Sequence, residues 1–391
     1  MNTHKPFLSL RFFFVLGIFF ANMNFTDIHL PDSFVWLRKT FLAEGWLGMS
    51  YFFKLAGFMV GYHYLKNLSS FKASTFLLKE ASTLYPIHWI TMLIAVPFSL
   101  EILGEDKLKW VLIFLSNASL IHTLIPAKDF FMSFNIPAWT YSNEMFFYFL
   151  FPLIAWMLLK APRIIIGLWI ALMIGIVITM EVVYKEFNTE MWYLFFFNPW
   201  FNLAEFGLGI FVAYLYFQAK DKLFFQLPYN VTWLEITSIL LLLVFFIFRG
   251  SVLQIYRFSY YYWIPLSYLI FAFSFQRGRI SAFLSRKPFI FLGEMAMSFY
   301  LLHLSVRGYG TFFNRKTHLL EDVYVRIVVL FVVSFVLAVL FHRYVEKPIN
   351  VLISKWLKTD DAHGSEHLAT GNSHIAKLPP GREAADTTHN G

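Results

Sequence analysis

The chain has 391 residues, of which 58% are hydrophobic and only 14% are charged. A soluble globular protein usually carries about 25% charged residues, so the composition excludes that class. The sequence contains no cysteine, which excludes disulfides, a thiol nucleophile and a thiolate metal site. The formal net charge of +8 favours contact with anionic membrane lipids or an anionic substrate. Because the basic residues are scattered between apolar runs, nothing favours binding to nucleic acid.

The apolar runs are long enough to cross a bilayer as α-helices, and they lack the alternation typical of membrane β-strands. They predict an all-α polytopic membrane protein with about ten transmembrane helices. A further short apolar piece at 110–125 is interpreted as either a re-entrant segment or a helix lying at the surface. In chain order the predicted spans are Phe7–Asn24, Trp46–Tyr64, Leu84–Leu103, Glu144–Leu159, Ile164–Val183, Trp200–Phe217, Val231–Phe248, Tyr260–Phe275, Phe289–Val306 and Val323–His342.

The loops between the predicted spans indicate an orientation. The basic loops, such as Gln276–Lys287 and Arg343–Lys358, fall on one face together with both termini. The positive-inside rule assigns that face to the cytoplasm. We therefore expect a membrane domain over residues 1–358, followed by a disordered cytoplasmic tail at 359–391, which is polar and shows no hydrophobic period.

Several ionisable residues lie within the apolar runs, where a charge is costly unless it is paired or faces a polar cavity. Glu144 heads the fourth span, either as a functional carboxylate or as a capping acid stabilised by the helix dipole. Lys54 lies in the middle of the second span and needs a partner or water. Glu205 is another acid within an apolar run.

The first span and the last two spans add further candidates. Arg11 is either functional or a cation that extends to the lipid headgroups. Asn22 follows it by eleven residues, about 16 Å along a helix. His303 is either an interfacial hydrogen-bonding residue or a base with a pKa suited to proton transfer. Glu346 closes the last span, where a salt bridge with Lys347 or Arg343 is the simplest role.

Seven short motifs occur in a fixed order along the chain. The second reads FFKLAGF and the fourth begins WTYSNE. Together they resemble the acyltransferase-3 family of membrane O-acyltransferases over residues 7–350. The motifs are Leu10–Arg11, Phe52–Phe58, Phe76–Pro86, Trp139–Pro152, Glu205–Gly209, Ser298–His303 and Tyr344–Pro348.

The resemblance implies transfer of an acyl group, usually acetyl, from cytoplasmic acyl-CoA to a hydroxyl on the far side of a bacterial inner membrane. The acceptor would be a cell-envelope glycan or a lipid-linked sugar, and no metal is implied. This chain departs from the family at two places. Asn22 stands where the family has histidine, and the family's arginine cluster reads Lys79, Glu80 and Thr83.

The resemblance also implies residue roles. Arg11 would orient the acyl donor, and Asn22 would donate a hydrogen bond to an oxyanion or a hydroxyl. Glu144 would be the base or the residue that orients it, with His303 and His29 as the other candidate bases. The expected binding residues are Lys79 and Tyr85 for acyl-CoA, and Trp139, Tyr148 and Lys54 for the substrate.

Other functions remain open at this stage. A family member that has lost catalysis would act as a carrier, a lipid-binding module or a regulatory partner. A family member with a changed donor site would transfer or move a group other than acetyl. A transporter would also show intramembrane charges, although the two halves of the sequence contain no internal repeat.

Overall fold

The computed structural model describes residues 5–23, 44–183, 189–258 and 260–356. Throughout these ranges the regular secondary structure is helical, which confirms the predicted all-α class. His29 and the predicted tail at 359–391 lie outside the described residues. The main helices are α1 (Lys5–Asn22), α2 (Leu47–Tyr64), α3 (Ala73–Ala95), α4 (Lys107–Ala118), α5 (Trp139–Lys160), α6 (Pro162–Val183), α7 (Pro199–Ala219), α8 (Pro228–Phe248), α9 (Trp263–Ser274), α10 (Lys287–Glu294), α11 (Ala296–Thr317) and α12 (Val323–Phe341).

Shorter helical segments connect these helices. α10 and α11 meet at a bend of 50°. Residues 347–356 are helical as well. The short segments are Leu100–Glu105, Lys128–Phe131, Thr189–Trp192, Leu223–Gln226, Gln254–Arg257 and Arg279–Leu284.

Seven helices of the described chain are long and apolar enough to cross a membrane, or eight if the bent pair α10–α11 is one span. The protein is therefore a multi-pass membrane protein. Of the ten predicted spans, those corresponding to α2 and α9 are not among these helices. α2 carries Lys54 and Ser50 among its apolar residues, and α9 is only 12 residues long.

α2 nevertheless lies alongside α7 over its whole length. Near one end Trp46 contacts Phe196, and near the other Tyr62 stacks on Phe217. The two helices approach closely because glycine lies at the crossing, and a Cβ on Gly57 would overlap the carbonyl oxygen of Phe206. Small residues allow this close packing between membrane helices. α2 thus covers the same depth as α7.

The apolar piece predicted at 110–125 forms α4 and the turn after it. α4 packs against α3 through side chains of α3 that bond to its last turn. The Tyr85 hydroxyl donates to the Ser119 carbonyl oxygen at 3.0 Å, and the Trp89 indole N–H donates to that of Ala118 at 2.9 Å. The chain then returns through Thr123, which bonds to Ser142 of α5 at 2.7 Å.

Candidate functional site

A cavity of about 910 Å³ lies between the C-terminal turn of α1, the first turns of α2 and α5, and the middle of α11. Two of the predicted catalytic residues, Asn22 and His303, line it, together with the predicted substrate residue Trp139. Most of the remaining wall is apolar and aromatic, with Arg307 and Arg315 as its charged members. A mainly apolar cavity with a few convergent polar groups is typical of a small-molecule site.

His303 and Asn22 contact each other in this cavity, although they are 281 residues apart in the chain. His303 Nδ1 lies 2.5 Å from the carbonyl oxygen of Tyr300. Because a carbonyl oxygen only accepts, Nδ1 carries the proton of the neutral ring and donates it. Nε2 is then the unprotonated nitrogen, and it accepts from Asn22 Nδ2 at 3.1 Å. The backbone of α11 thus sets the imidazole tautomer that a general base requires.

Arg307 adds a cation to the same wall. It lies four residues after His303, so it occupies the same face of α11. Its guanidinium Nη1 donates to the main-chain carbonyl oxygen of Asn22 at 2.5 Å. This bond satisfies one of the free carbonyl groups at the end of α1 and fixes the helix end that carries Asn22.

Arg11 and Glu144 form a second polar group outside the cavity. The two side chains are close enough to interact electrostatically, and both are half-buried. Two buried tyrosines, Tyr141 and Tyr148, lie within electrostatic reach of both charges. Neither Arg11 nor Glu144 is among the residues lining the 910 Å³ cavity.

Tyr300 connects the two groups. It lines the cavity, donates to the Pro137 carbonyl oxygen at 2.8 Å, and lies within electrostatic reach of Glu144. In the opposite direction Tyr148 and Glu144 interact with Glu80 near the start of α3. A column of polar side chains therefore runs from the first turns of α3 to the cavity that contains His303.

Lys54 lies outside both groups, in a buried ion pair with Glu205 of α7. Its ammonium also donates to Ser50 Oγ at 2.7 Å. Glu205 accepts a further bond from the Trp263 indole at 2.8 Å. Each charge is thus paired and hydrogen-bonded, as burial requires. Lys54 does not line the cavity.

The predicted donor-binding residues lie on α3. Lys79 is half-buried and lies 3.8 Å from the carboxylate of Glu80. Tyr85 lies further along the helix, where its hydroxyl binds the end of α4. Tyr148 of α5 packs edge-on against Phe76 of α3 and lies apart from the cavity lining.

The sixth and seventh motifs meet in space. Ser298 Oγ donates to the Glu346 carboxylate at 2.5 Å, and His342 Nδ1 lies 3.0 Å from that carboxylate. Glu346 lies within electrostatic reach of Tyr141. The end of the last span thus borders the group formed by Arg11 and Glu144.

Sequence reasoning missed Arg307 and Tyr300. Arg307 lies one residue beyond the predicted span Phe289–Val306, and Tyr300 entered only as part of the motif Ser298–His303. Their spacing from His303, of four and three residues, was the available signal, because such residues share a helix face with it.

Comparisons with known proteins identify the family of the chain. A sequence model described as an acyltransferase domain matches residues 7–343, so the protein is a membrane acyltransferase. The chain belongs to the acyltransferase-3 family. It is similar to acyltransferase MdmB of Streptomyces mycarofaciens, with 26% identity over 332 residues that make up 77% of this chain and 78% of the relative. No solved structure matches the chain.

Proposed function

We propose that the protein transfers an acyl group, acetyl in the simplest case, from cytoplasmic acyl-CoA to a hydroxyl of a cell-envelope glycan or a lipid-linked sugar. It would act in a bacterial inner membrane with both termini in the cytoplasm. The observation that carries this proposal is the cavity in which His303 presents an unprotonated Nε2 beside the amide of Asn22.

The proposed chemistry begins when the acceptor hydroxyl donates its hydrogen bond to His303 Nε2. The hydroxyl then displaces the Asn22 amide, which becomes free to donate to the oxyanion of the tetrahedral intermediate. Nε2 takes the hydroxyl proton as the oxygen attacks the thioester carbonyl. When the carbon–sulfur bond breaks, the imidazolium returns this proton to the CoA sulfur. Asn22 cannot serve as a base, because an amide holds no proton-accepting nitrogen near neutral pH.

The donor side is assigned to Arg11 and Glu144. The polar column from Glu80 to Tyr300 links the first turns of α3 to the cavity, and a thioester arm would follow these side chains. Glu144 would hold the guanidinium of Arg11, which would in turn orient the acyl carbonyl. Lys79 would meet the CoA phosphates as a single cation, with less geometric selectivity than an arginine cluster.

The distribution of basic residues supports the orientation. The helix ends that share a face with the start of α3 are joined by contacts such as Tyr64 with Phe151 and Arg277 with the Phe225 carbonyl. Basic side chains concentrate at these ends, as on a cytoplasmic face. They are Lys66, Lys72, Lys79, Lys160, Arg163, Lys220, Lys222, Arg277, Arg279, Arg286 and Lys287.

The test is transfer in proteoliposomes supplied with radiolabelled acetyl-CoA and bacterial envelope glycan. His303→Gln removes the base, and we expect it to lower kcat about a hundredfold or more. His63→Gln is the matched control, because His63 is exposed and bonds only within its own helix, to the Met59 carbonyl oxygen. Equal transfer by wild type and His303→Gln would refute the assignment of the base. If neither the wild type nor any variant transfers label from any acyl-CoA, the result would favour a family member that has lost catalysis.

A further inference from the structure

A second cavity, of about 320 Å³, adjoins the one that contains His303. Its walls combine apolar and uncharged polar side chains with two charged ones, Lys128 and Asp129, and Asp129 forms an exposed ion pair with Lys109 at 2.5 Å. The hydrogen bond to Asp129 raises the pKa of Lys109, so this carboxylate is compensated. The two cavities share a wall formed by Phe98, Met132, Ile136, Leu304 and Gly308.

Asn135 lines the second cavity and is only 2% exposed. Neither its amide nitrogen nor its amide oxygen has a hydrogen-bond partner among the described residues. Its main chain is engaged, since its carbonyl oxygen accepts from Ala138 N at 2.8 Å at the start of α5. Buried polar groups are nearly always bonded, so an amide with both groups free indicates a missing partner. The preceding residue, Phe134, has a φ of 48°, which a bulky side chain rarely adopts outside functional sites.

The partner must both donate and accept at adjacent positions. Two neighbouring hydroxyls of a sugar ring do this, because one donates to the amide oxygen while the other accepts from the amide nitrogen. Phe98 and Phe134 of the same walls offer apolar surface to the C–H face of such a ring. A phosphate could pair with Lys128, but its ionised oxygens only accept hydrogen bonds, so it would leave the amide oxygen of Asn135 without a donor.

We propose that the second cavity binds a vicinal diol of the acceptor, on the sugar ring next to the one that is acylated beside His303. This inference rests on the proposed function and narrows it to acceptors with at least two rings. The side chains that line both cavities would then pack against the linkage between the two rings. Asn135 would select the acceptor without contacting the reacting atoms.

Binding can be measured without any acyl donor, by saturation-transfer NMR on the full chain in detergent micelles. The probes are methyl α-D-glucopyranoside, which has vicinal hydroxyls, and tetrahydropyran, which has none. We expect saturation transfer to the glucoside in the wild type and a loss of about tenfold in affinity in Asn135→Leu. Asn67→Leu, at an exposed asparagine outside both cavities, should bind like the wild type. If the leucine variant does not fold, Asn135→Asp replaces it in the test, because aspartate keeps the size of asparagine but lacks the amide N–H donor.

The inference fails if the wild type does not bind the glucoside, if tetrahydropyran binds equally well, or if both Asn135 variants retain full affinity. Full acyl transfer by His303→Gln, together with Asn135-dependent binding, would overturn the proposed chemistry and leave the diol site standing.

Discussion

Asn22 stands where the family resemblance implies a histidine, and the surroundings of this residue account for an amide at that position. The family's histidine position faces His303 across the cavity, so the site retains one imidazole whichever residue stands at 22. Arg307 holds the main chain of Asn22, which is independent of its side chain. The amide can therefore serve as a hydrogen-bond donor while His303 serves as the base.

Substitution of Asn22 separates these roles. Asn22→Leu removes the donor and keeps the approximate size, so we expect kcat to fall about a hundredfold while the main-chain bond from Arg307 persists. Asn22→His restores a side chain that can donate to Nε2, and we expect it to retain most of the activity. Steady-state transfer kinetics check both. Complete loss of transfer activity in a normally folded Asn22→His variant would show that the amide itself is required.

Glu144→Gln distinguishes a base from a residue that orients the donor. Because Glu144 lies within electrostatic reach of Arg11 and apart from the cavity lining, we expect the KM for acyl-CoA to rise about tenfold with a smaller change in kcat. The measurement is a donor titration at saturating acceptor. A fall in kcat as large as that of His303→Gln, at unchanged KM, would instead assign the base to Glu144.

At the scale of helices, the pairing of α2 with α7 carries a buried charge pair. The glycines at the crossing bring the two backbones together, and this contact places Lys54 beside Glu205. The pair lies under the cavity-lining Trp46 end of α2, where it fixes the position of both helices. In some proteins a buried ion pair is retained because it specifies a single packing arrangement. Our hypothesis is that the pair of Lys54 and Glu205 does this for α2 and α7.

The double-mutant cycle tests that hypothesis. Lys54→Met leaves Glu205 buried and uncompensated, and we expect a loss of about 3–5 kcal/mol in stability. Adding Glu205→Gln should recover much of it. Thermal unfolding in detergent reports the stability, and the KM for the acceptor reports any role of Lys54 in substrate binding. A large rise in this KM in the double variant, at restored stability, would make Lys54 a substrate residue.

Sequence reasoning foresaw the helices and part of the site. Continuous apolar runs define helices locally, so nearly all the predicted spans correspond to helices, and Lys54 was rightly expected to need a partner. The partner itself, Glu205, is 151 residues away, and spacing along the chain carries no information on which helices pack together. For the same reason the contact of Asn22 with His303 and the free amide of Asn135 were not foreseen.

At the scale of the whole molecule, the reaction depends on the side of the membrane on which the His303 cavity lies. The helix ends nearest the cavity lie opposite the basic face that includes Lys72 and Lys222. If the basic face is cytoplasmic, the acceptor approaches from outside and the acyl-CoA from inside. The acyl group must then pass from the cytoplasmic side to the His303 cavity, and the polar column from Glu80 to Tyr300 lies between the two.

The orientation can be measured directly because the chain contains no cysteine, so each introduced cysteine is the sole thiol. Glu321→Cys lies between α11 and α12, and Asp221→Cys follows α7; both positions are exposed. With a membrane-impermeant maleimide on intact spheroplasts, we expect the first to be labelled at once and the second only after permeabilisation. Lys72→Cys should behave like Asp221→Cys if α2 crosses the membrane. Labelling of Lys72→Cys from outside would instead make α2 a helix that does not cross, and the reverse pattern at 221 and 321 would place the His303 cavity and its acceptor in the cytoplasm.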